Sequence, residues 1–220
     1  LFSKTNLDER VILSGAWHLL NGQVLYIDFF EKIAPGSFYL IYWVFKIFGA
    51  KYSIAKIVSI IMLATASFTI YKSSQIVTKS KLSLIPAIIF ILSLSFLPII
   101  NHNFYSIVFI IISVYFFLLY NKTKGNYSIF IAGLFSGLAI VFLQHKGLIF
   151  WGGVGLILLF NLIKLKTKKS FQNLLYFSAG SIIPIIPILI KWPLKTLYSN
   201  LFLSPLSGYI EVNKMPYYLF

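Results

Sequence analysis

The sequence contains no cysteine and little charge, above all little negative charge. Of its 220 residues, 11% are charged and five are acidic, whereas 59% are hydrophobic. The mean hydropathy is +0.87. A soluble domain of this length carries about 25% charged residues, so this chain lacks the polar surface of a soluble protein. The absence of cysteine excludes disulfides and thiolate metal sites. Composition therefore predicts an all-α, polytopic transmembrane helical bundle.

The formal net charge of +14 does not indicate a nucleic-acid partner. The lysines fall in short clusters between apolar runs, as expected of loops that face an anionic membrane leaflet. No basic stripe lies on a polar surface, so we predict no nucleic-acid binding. The chain does not begin with Met and has no visible signal peptide. We interpret it as a piece of a longer protein that has lost an upstream span.

Six stretches are apolar and long enough to approach the span of a bilayer core about 30 Å thick. They are Tyr52–Ser74, Leu82–Ile100, Tyr105–Tyr120, Tyr127–Leu143, Leu148–Ile163 and Phe171–Ile190. The loops between them alternate between lysine-rich and nearly uncharged. The positive-inside rule then places the basic loops, 75–81, 121–126 and 164–170, in the cytoplasm. The other polar segments share the outer face: 1–51, 101–104, 144–147 and 191–220.

The first 51 residues are predicted to form an outer loop with two helices lying on the membrane. Asp8–Leu20 has its acids in the first turn, where the helix dipole favours them, and Asn21-Gly22 ends it. Ser37–Phe48 is too short to span and contains Lys46, while its aromatic residues suit the headgroup zone. Residues 52–190 would be the six-helix bundle, and 191–220 the start of another outer loop.

Glycines and prolines inside the predicted spans indicate helix packing. We expect helix contacts at five glycines, 133, 137, 152, 153 and 155. A phosphate loop at Gly152–Gly155 is disfavoured because the segment lies within an apolar span. Pro184 and Pro187 are expected to kink the last span.

The five acidic residues are distributed unevenly: four lie within the first 31 residues. They are Asp8, Glu9, Asp28, Glu31 and, in the last loop, Glu211. Helix-start acids and loop solvation would account for them. A membrane enzyme that activates a hydroxyl, however, needs a carboxylate as general base at the interface. Carboxylates can also hold a divalent ion against phosphate oxygens.

A longer constellation resembles a known family. Asp8-Glu9 lies at the start of the first predicted helix, and Phe48-Gly49 lies at the end of the second. Between the two helices, the run from Asn21 to Lys32 contains Gly22, Tyr26, Asp28 and Glu31-Lys32, and Pro35-Gly36 follows it. This order resembles the GT-C glycosyltransferases of the protein-mannosyltransferase and aminoarabinose-transferase type (family 39). Those polytopic enzymes use polyprenyl-phosphate sugars, and their first module has seven spans. Six visible spans plus one upstream would match it.

The resemblance implies roles for individual residues. Asp8 aligns with the family's catalytic base, and Glu9 would support it electrostatically or by hydrogen bonding. Glu31-Lys32 matches a Glu-Lys step whose lysine suits the donor phosphate, and Asp28 belongs to the same substrate-binding segment. The Pro-Pro that follows in the family is replaced here by Ile33-Ala34-Pro35, which weakens the placement of the lysine.

The other outer loops add basic and imidazole groups. Lys146-Gly147 resembles a Lys-Gly pair that opens the sixth span in relatives, and Lys146 could neutralise a leaving phosphate. Snorkelling to the interface is an equal alternative for it. Many relatives have an acidic residue in the second outer loop, where this chain has Asn101-His102-Asn103. His102 could ligate a metal or contact substrate, and a polar cap at the interface is an equal alternative for it. His145 is a candidate substrate contact with a structural role as an equal alternative, whereas a structural role is favoured for His18.

Together these features predict an inverting glycosyltransferase on the extracytoplasmic face of a prokaryotic plasma membrane. The implied partners are a polyprenyl-phosphate-linked sugar donor, a lipid, glycan or protein acceptor, and the bilayer. A divalent cation, Mg²⁺ or Mn²⁺, stays open, with Asp8 and His102 as candidate ligands.

Three other functions remain open. A flippase or transporter of lipid-linked sugar would have the same architecture, although the five spans after the first have no charged residue in their interiors, and Lys56 lies near one end of the first. A non-catalytic subunit of surface-polysaccharide assembly would make the outer acids incidental. A polysaccharide polymerase or ligase would share the lipid donor.

Overall fold

The computed structural model describes residues 7–78, 80–94 and 100–206, and these are almost entirely helical. In that part of the chain the only β-type pairing is an isolated bridge between Leu25 and Phe29. The prediction of an all-α fold is confirmed. Glu211 lies outside the described residues. The helices are α1 (Leu7–Leu20), α2 (Gly36–Phe48), α3 (Tyr52–Thr78), α4 (Ile85–Leu94), α5 (His102–Thr123), α6 (Asn126–Phe142), α7 (Gln144–Leu165), α8 (Lys168–Ile182), α9 (Ile186–Lys191) and α10 (Leu194–Tyr198).

Three of these helices are long and apolar enough to cross a membrane. They are α3 with 27 residues and α5 and α7 with 22 each. An α-helix rises about 1.5 Å per residue, so each exceeds the thickness of a bilayer core. The described parts of the other predicted spans are shorter; α6 has 17 residues and α8 has 15. The chain is thus an integral membrane protein, and the count of six spans stays a prediction.

The last predicted span is interrupted rather than merely kinked. Helix α8 ends at Ile182, a short turn contains Pro184, and α9 begins at Ile186 with Pro187 in its first turn. Proline lacks the backbone N–H that would continue the helical ladder, and its fixed φ suits the start of a helix. The break sends α9 and α10 back toward α2.

Two glycines let α6 and α8 touch through their backbones. A Cβ built at Gly133 would lie 2.1 Å from the carbonyl oxygen of Phe177, and one at Gly137 would lie 2.2 Å from that of Ser181. Any side chain there would force the helices apart, so the predicted contact is confirmed at these positions. In the described chain a Cβ on α7 would meet nothing within 4 Å at three positions, Gly152, Gly153 and Gly155. The expected helix contact is therefore not found for these three.

Helices α1 and α2 pack as a pair over one end of the bundle. Ile12 and Leu13 of α1 and Phe38 and Ile41 of α2 are fully buried in one core, which continues to Tyr105 near the start of α5. This packing fixes the first turn of α1 against the starts of α3 and α5. Asp8 and Glu9 belong to that turn. The location of both helices at the membrane surface stays a prediction.

Candidate active site

Glu9 is a buried carboxylate that receives three hydrogen bonds. Its side chain points toward the start of α3, where Lys56 Nζ lies 2.5 Å from Oε1 and the Tyr52 hydroxyl donates to Oε2 at 3.0 Å. The backbone N–H of Ile100 donates to Oε1 at 3.2 Å. Glu9 is 3% exposed. It therefore joins α1, α3 and the segment that precedes α5 through one charged group.

The electrostatics of Glu9 favour its ionised form. Burial alone would raise its pKa, but the hydrogen bonds from Lys56, Ile100 and Tyr52, together with the positive charge of Lys56, hold the pKa below its usual value. A carboxylate with a lowered pKa whose two oxygens both already accept hydrogen bonds is a poor proton acceptor. The environment of Glu9 therefore suits a structural role better than the role of a general base.

Asp8 is less constrained than Glu9. Its Oδ2 accepts a hydrogen bond of 2.7 Å from the side-chain amide of Asn101, and it is half-buried. The same Asn101 caps α5, because its Oδ1 accepts from the Asn103 N–H at 2.6 Å. Among the described residues, Oδ1 of Asp8 has no hydrogen-bond partner. Asn101 thus holds one oxygen of Asp8 and leaves the other available.

His102 brings together groups from three separate loops. The charges of Asp8, His145 and Lys146 all act on its ring, so these four side chains share one region. Its Nε2 lies 3.0 Å from the Asn103 amide nitrogen. If that amide donates to Nε2, the ring proton sits on Nδ1. This buried Nδ1 has no hydrogen-bond partner in the described part of the chain.

The start of α7 explains why glycine follows Lys146. One residue, Leu143, separates α6 from α7, so the first turn of α7 lies directly against the last turn of α6. A Cβ on Gly147 would come within 2.3 Å of the Ile140 backbone nitrogen. Glycine is therefore needed for the tight connection. The connection in turn holds half-buried Lys146 and exposed His145 beside the polar region.

Gln144, the first residue of α7, fixes the segment that carries Lys32. Its side-chain amide donates 3.0 Å hydrogen bonds to the carbonyl oxygens of Lys32 and Leu201, and its oxygen accepts from the Ala34 N–H at 3.2 Å. Gln144 is 5% exposed, so these bonds form away from water. The side chain of Lys32 is exposed. The first three residues of α7 thus link the Lys32 segment to the region around His102.

Glu31 has an environment unlike that of Glu9. Burial raises its pKa from 4.5 to about 7, and no described cation offsets that effect. Burial raises the pKa of Tyr26, and the charge of Glu31 raises it further. The Tyr26 hydroxyl donates to the Ile33 carbonyl oxygen at 2.5 Å. Glu31 therefore changes charge near neutral pH, directly beside Lys32.

Two polar residues of the first loop have local structural contacts. Asp28 is exposed and its Oδ2 accepts from the Val24 N–H at 2.7 Å, which closes a turn of its own segment. His18 pairs with Gln23 and stacks on Phe29 at 4.9 Å between ring centroids. These contacts agree with the structural role favoured for His18. A substrate contact at Asp28 stays a prediction.

An apolar cavity of about 440 Å³ adjoins the Lys32 segment. Ala34, Pro35 and Gln144 line it on one side, and Leu148 of α7 and Leu197 of α10 on others. Its walls are almost entirely hydrocarbon. Such a cavity suits the chain of a lipid rather than a sugar or a nucleotide.

The described residues supply few ligands for a metal ion. No three side chains of His, Asp, Glu or Cys type converge anywhere in that part of the chain. Asp8 and His102 would provide two ligands. The carboxylate is of a type that suits Mg²⁺ or Mn²⁺, whereas the imidazole suits softer transition metals better than Mg²⁺. Dependence on a divalent cation stays a prediction, and no catalytic step is derived through one.

Sequence reasoning missed the residues that hold the site together. Asn101 could have been identified as an N-cap, because asparagine before an apolar helix is a standard start signal. Lys56 and Tyr52 face Glu9 across 47 and 43 residues of sequence, and Gln144 reaches Lys32 across 112. No local pattern predicts such pairings.

One comparison identifies the chain's relatives. The family model for dolichyl-phosphate-mannose-protein mannosyltransferase matches residues 32–192. No curated protein and no solved structure gives a match. The matched region includes Lys32, His102, His145 and Lys146 and begins after Asp8, Glu9 and Glu31. It covers well over half of the sequence, so the chain belongs to the dolichyl-phosphate-mannose-protein mannosyltransferase family.

Proposed function

We propose that this protein is an integral-membrane glycosyltransferase in which Asp8 is the general base. The enzyme would transfer a sugar from a polyprenyl-phosphate donor to an acceptor hydroxyl on the extracytoplasmic face. Family membership supports the glycosyltransferase and its lipid-linked donor. The observation that carries the assignment of Asp8 is its contrast with Glu9: Asp8 keeps one oxygen available, whereas both oxygens of Glu9 accept hydrogen bonds, three in all.

The proposed reaction is a single in-line displacement. Asp8 takes the proton of the acceptor hydroxyl as the hydroxyl oxygen attacks the anomeric carbon. The bond from that carbon to the phosphate oxygen breaks, and its electron pair leaves with the lipid phosphate. Attack opposite to the departing group inverts the anomeric configuration. No redox step or nucleotide is needed.

Positive charge near the leaving phosphate would stabilise the transition state. Lys32 and Lys146 lie on two segments that Gln144 joins, so both are candidates to contact the phosphate. Lysine ammonium groups that are already in place when charge develops on the leaving oxygen lower the barrier. The apolar cavity beside Ala34 and Gln144 would hold the first isoprene units of the donor.

The direct test compares Asp8→Asn with Glu9→Gln in the full-length protein. Cells lacking the gene would be complemented with each variant, and glycans and lipid-linked sugars would be quantified by mass spectrometry. Loss of a general base lowers rates by about 10²–10⁴-fold, so D8N should abolish transfer while its amount in the membrane stays normal. E9Q should transfer as much sugar per folded molecule as the native protein.

Each outcome has a distinct meaning. Normal transfer by D8N would refute Asp8 as the base. Loss of transfer by both variants, with normal folding of both, would assign a joint role to the pair. If the protein were a flippase, cells lacking the gene would accumulate lipid-linked sugar on the inner face, and D8N would restore its transfer to the outer face.

A further inference from the structure

A second cavity lies between α2, α6 and α9, apart from the residues assigned above. Its volume is about 230 Å³, and its walls include Tyr39, Val141, Pro184, Pro187 and Trp192. Almost all of this lining is hydrocarbon or aromatic. The cavity is separate from the larger one beside Gln144, although Pro35 and Ile188 border both.

Two side chains at this cavity, Lys191 and Tyr39, carry polar groups that can donate hydrogen bonds. Lys191 Nζ donates to the Tyr39 hydroxyl at 2.5 Å, which leaves the phenolic proton and two ammonium protons for other acceptors. Lys191 is also exposed to solvent. Among the residues that the structure describes, the ammonium of Lys191 contacts Tyr39 and Trp192 and no carboxylate. An anion is the complementary ligand for this pair.

Aromatic rings fix the position of the ammonium group. Lys191 Nζ lies 4.6 Å from the ring centroid of Tyr39 and 5.1 Å from that of Trp192. Trp192 is 3% exposed and its indole N–H donates to the Leu25 carbonyl oxygen at 2.8 Å. This hydrogen bond and the burial of the side chain fix the position of the Trp192 ring. The ammonium rests on a rigid surface at the edge of the cavity.

We propose that Lys191 and Tyr39 bind the phosphate head group of an anionic lipid whose hydrocarbon chain enters this cavity. The charge of Lys191 recognises the head group, and the apolar walls recognise the chain. The site is distinct from the proposed donor site at Lys32, and it does not depend on the assignment of Asp8. The ligand chemistry is a phosphate ester on an apolar chain, not free phosphate.

The test measures binding of alkyl phosphates to the full-length protein in an uncharged maltoside detergent. Native mass spectrometry would count bound dodecyl phosphate, with octyl phosphate, butyl phosphate and inorganic phosphate as comparisons. Affinity should rise at least tenfold from butyl to dodecyl, and inorganic phosphate should not bind. Lys191→Ala should weaken this site at least tenfold, and Tyr39→Phe, which keeps the ring, about threefold.

The chain offers a matched control. Lys46 also lies over two rings, those of Tyr42 and Trp43, and its ammonium is 3.4 Å from the Tyr42 hydroxyl, but it borders neither cavity. Lys46→Ala should leave binding unchanged. Lys32→Ala should retain the dodecyl phosphate that Lys191→Ala loses.

Three results would overturn the proposal. One is equal weakening by Lys46→Ala and Lys191→Ala, which would indicate a general surface charge effect. Another is loss of the bound molecule in Lys32→Ala alone, which would place it at the donor site. The third is an affinity independent of chain length. If Lys191→Ala does not fold, the test relies on Tyr39→Phe, and unchanged binding of dodecyl phosphate by that variant would also overturn the proposal. Glycan transfer by D8N is measured separately, so the two proposals can fail independently.

Discussion

Removal of the Glu9 carboxylate is expected to destabilise the junction of α1, α3 and α5. Glu9→Ala would remove the carboxylate to which Lys56, the Tyr52 hydroxyl and the Ile100 N–H donate. Removal of one partner from a buried ion pair typically costs about 3–5 kcal/mol, because the other charge stays buried. The Lys56 side chain is 21% exposed and can regain some water, so the expected loss is about 2–4 kcal/mol.

The charge and the hydrogen bonds can be separated with a second variant. Glu9→Gln keeps an oxygen that can accept from Lys56 and Ile100 but removes the negative charge. Hydrogen bonds to charged groups are worth about 1.5–3 kcal/mol and neutral ones about 1, so E9Q should lose about 1–2 kcal/mol. In the double variant E9Q/K56M, the loss should be smaller than the sum of the single losses, because Lys56 no longer lacks an anion.

The measurement is reversible unfolding of the full-length protein in mixed micelles, with unfolding free energies compared at pH 7. Asp8→Ala is the matched control: it removes a neighbouring carboxylate with one described hydrogen bond, to Asn101. Asp8 is half-buried and Asn101 can regain water, so the loss should lie at or below the low end for a hydrogen bond to a charged group, about 1.5 kcal/mol. An E9A variant within about 0.5 kcal/mol of the native protein would refute the anchoring role of Glu9.

The pH dependence provides an independent check with a definite sign. The folded-state pKa of Glu9 lies below its usual value of 4.5. Stability from its ionised form is therefore fully present above pH 4.5 and is lost as the pH falls through the lower, folded pKa. E9Q should flatten this acid-side loss. An unchanged acid profile in E9Q would mean that other groups determine it.

The remaining predictions concern the Lys32 segment and the helix packing. Glu31 has a pKa of about 7, so it becomes negatively charged beside Lys32 as the pH rises through 7. Because this negative charge opposes a phosphate ligand, the KM for a lipid phosphodiester donor should increase above pH 7. E31Q should remove this pH dependence of KM. The same raised pKa means that Glu31 disfavours the folded state progressively between pH 4.5 and about 7. Gln144→Ala removes three hydrogen bonds of a buried side chain and should lose about 2–3 kcal/mol of stability. It should also raise the donor KM more than it lowers kcat, and an unchanged KM would refute the positioning of Lys32 by Gln144. Gly137→Leu should separate α6 from α8 and prevent accumulation of folded protein, whereas the same change at Gly153, where nothing lies within 4 Å, should be tolerated; equal effects would contradict the close backbone contact.

The helices were largely predictable because hydrophobic length is a direct sequence signal. Predicted and observed ends of the first span agree at Tyr52, and the helix continues four residues beyond Ser74 to Thr78. The break at Pro184 was predicted only as a kink, since the sequence does not reveal whether neighbouring helices stabilise the freed carbonyls. The glycines of α6 and the later glycines of α7 have similar sequence patterns. Gly133 and Gly137 of α6 meet a partner helix, whereas Gly152, Gly153 and Gly155 of α7 meet nothing within 4 Å. Packing partners decide that difference, and they lie far apart in sequence.

The candidate site was predictable as a set of residues but not as an arrangement. Asp8, Glu31, Lys32 and Lys146 were all identified from their scarcity, their loops and their family resemblance. What each carboxylate does depends on its neighbours, however, and those come from distant segments. Lys56 was visible as a charge near the end of a span, but its partner 47 residues earlier was not. Likewise, nothing local distinguishes Gln144 from a polar residue that merely begins a helix.

The divergence of Asp8 and Glu9 follows from helix geometry. Consecutive residues on an α-helix point about 100° apart, so two adjacent acids in one turn cannot face the same partners. Glu9 points into the junction with α3, where a lysine, a tyrosine and a backbone N–H saturate it. Asp8 points to the capped start of α5, where a single amide holds one of its oxygens. The hydrogen bonds to Glu9 fix the first turn of α1, and that turn places the available oxygen of Asp8 near the start of α5.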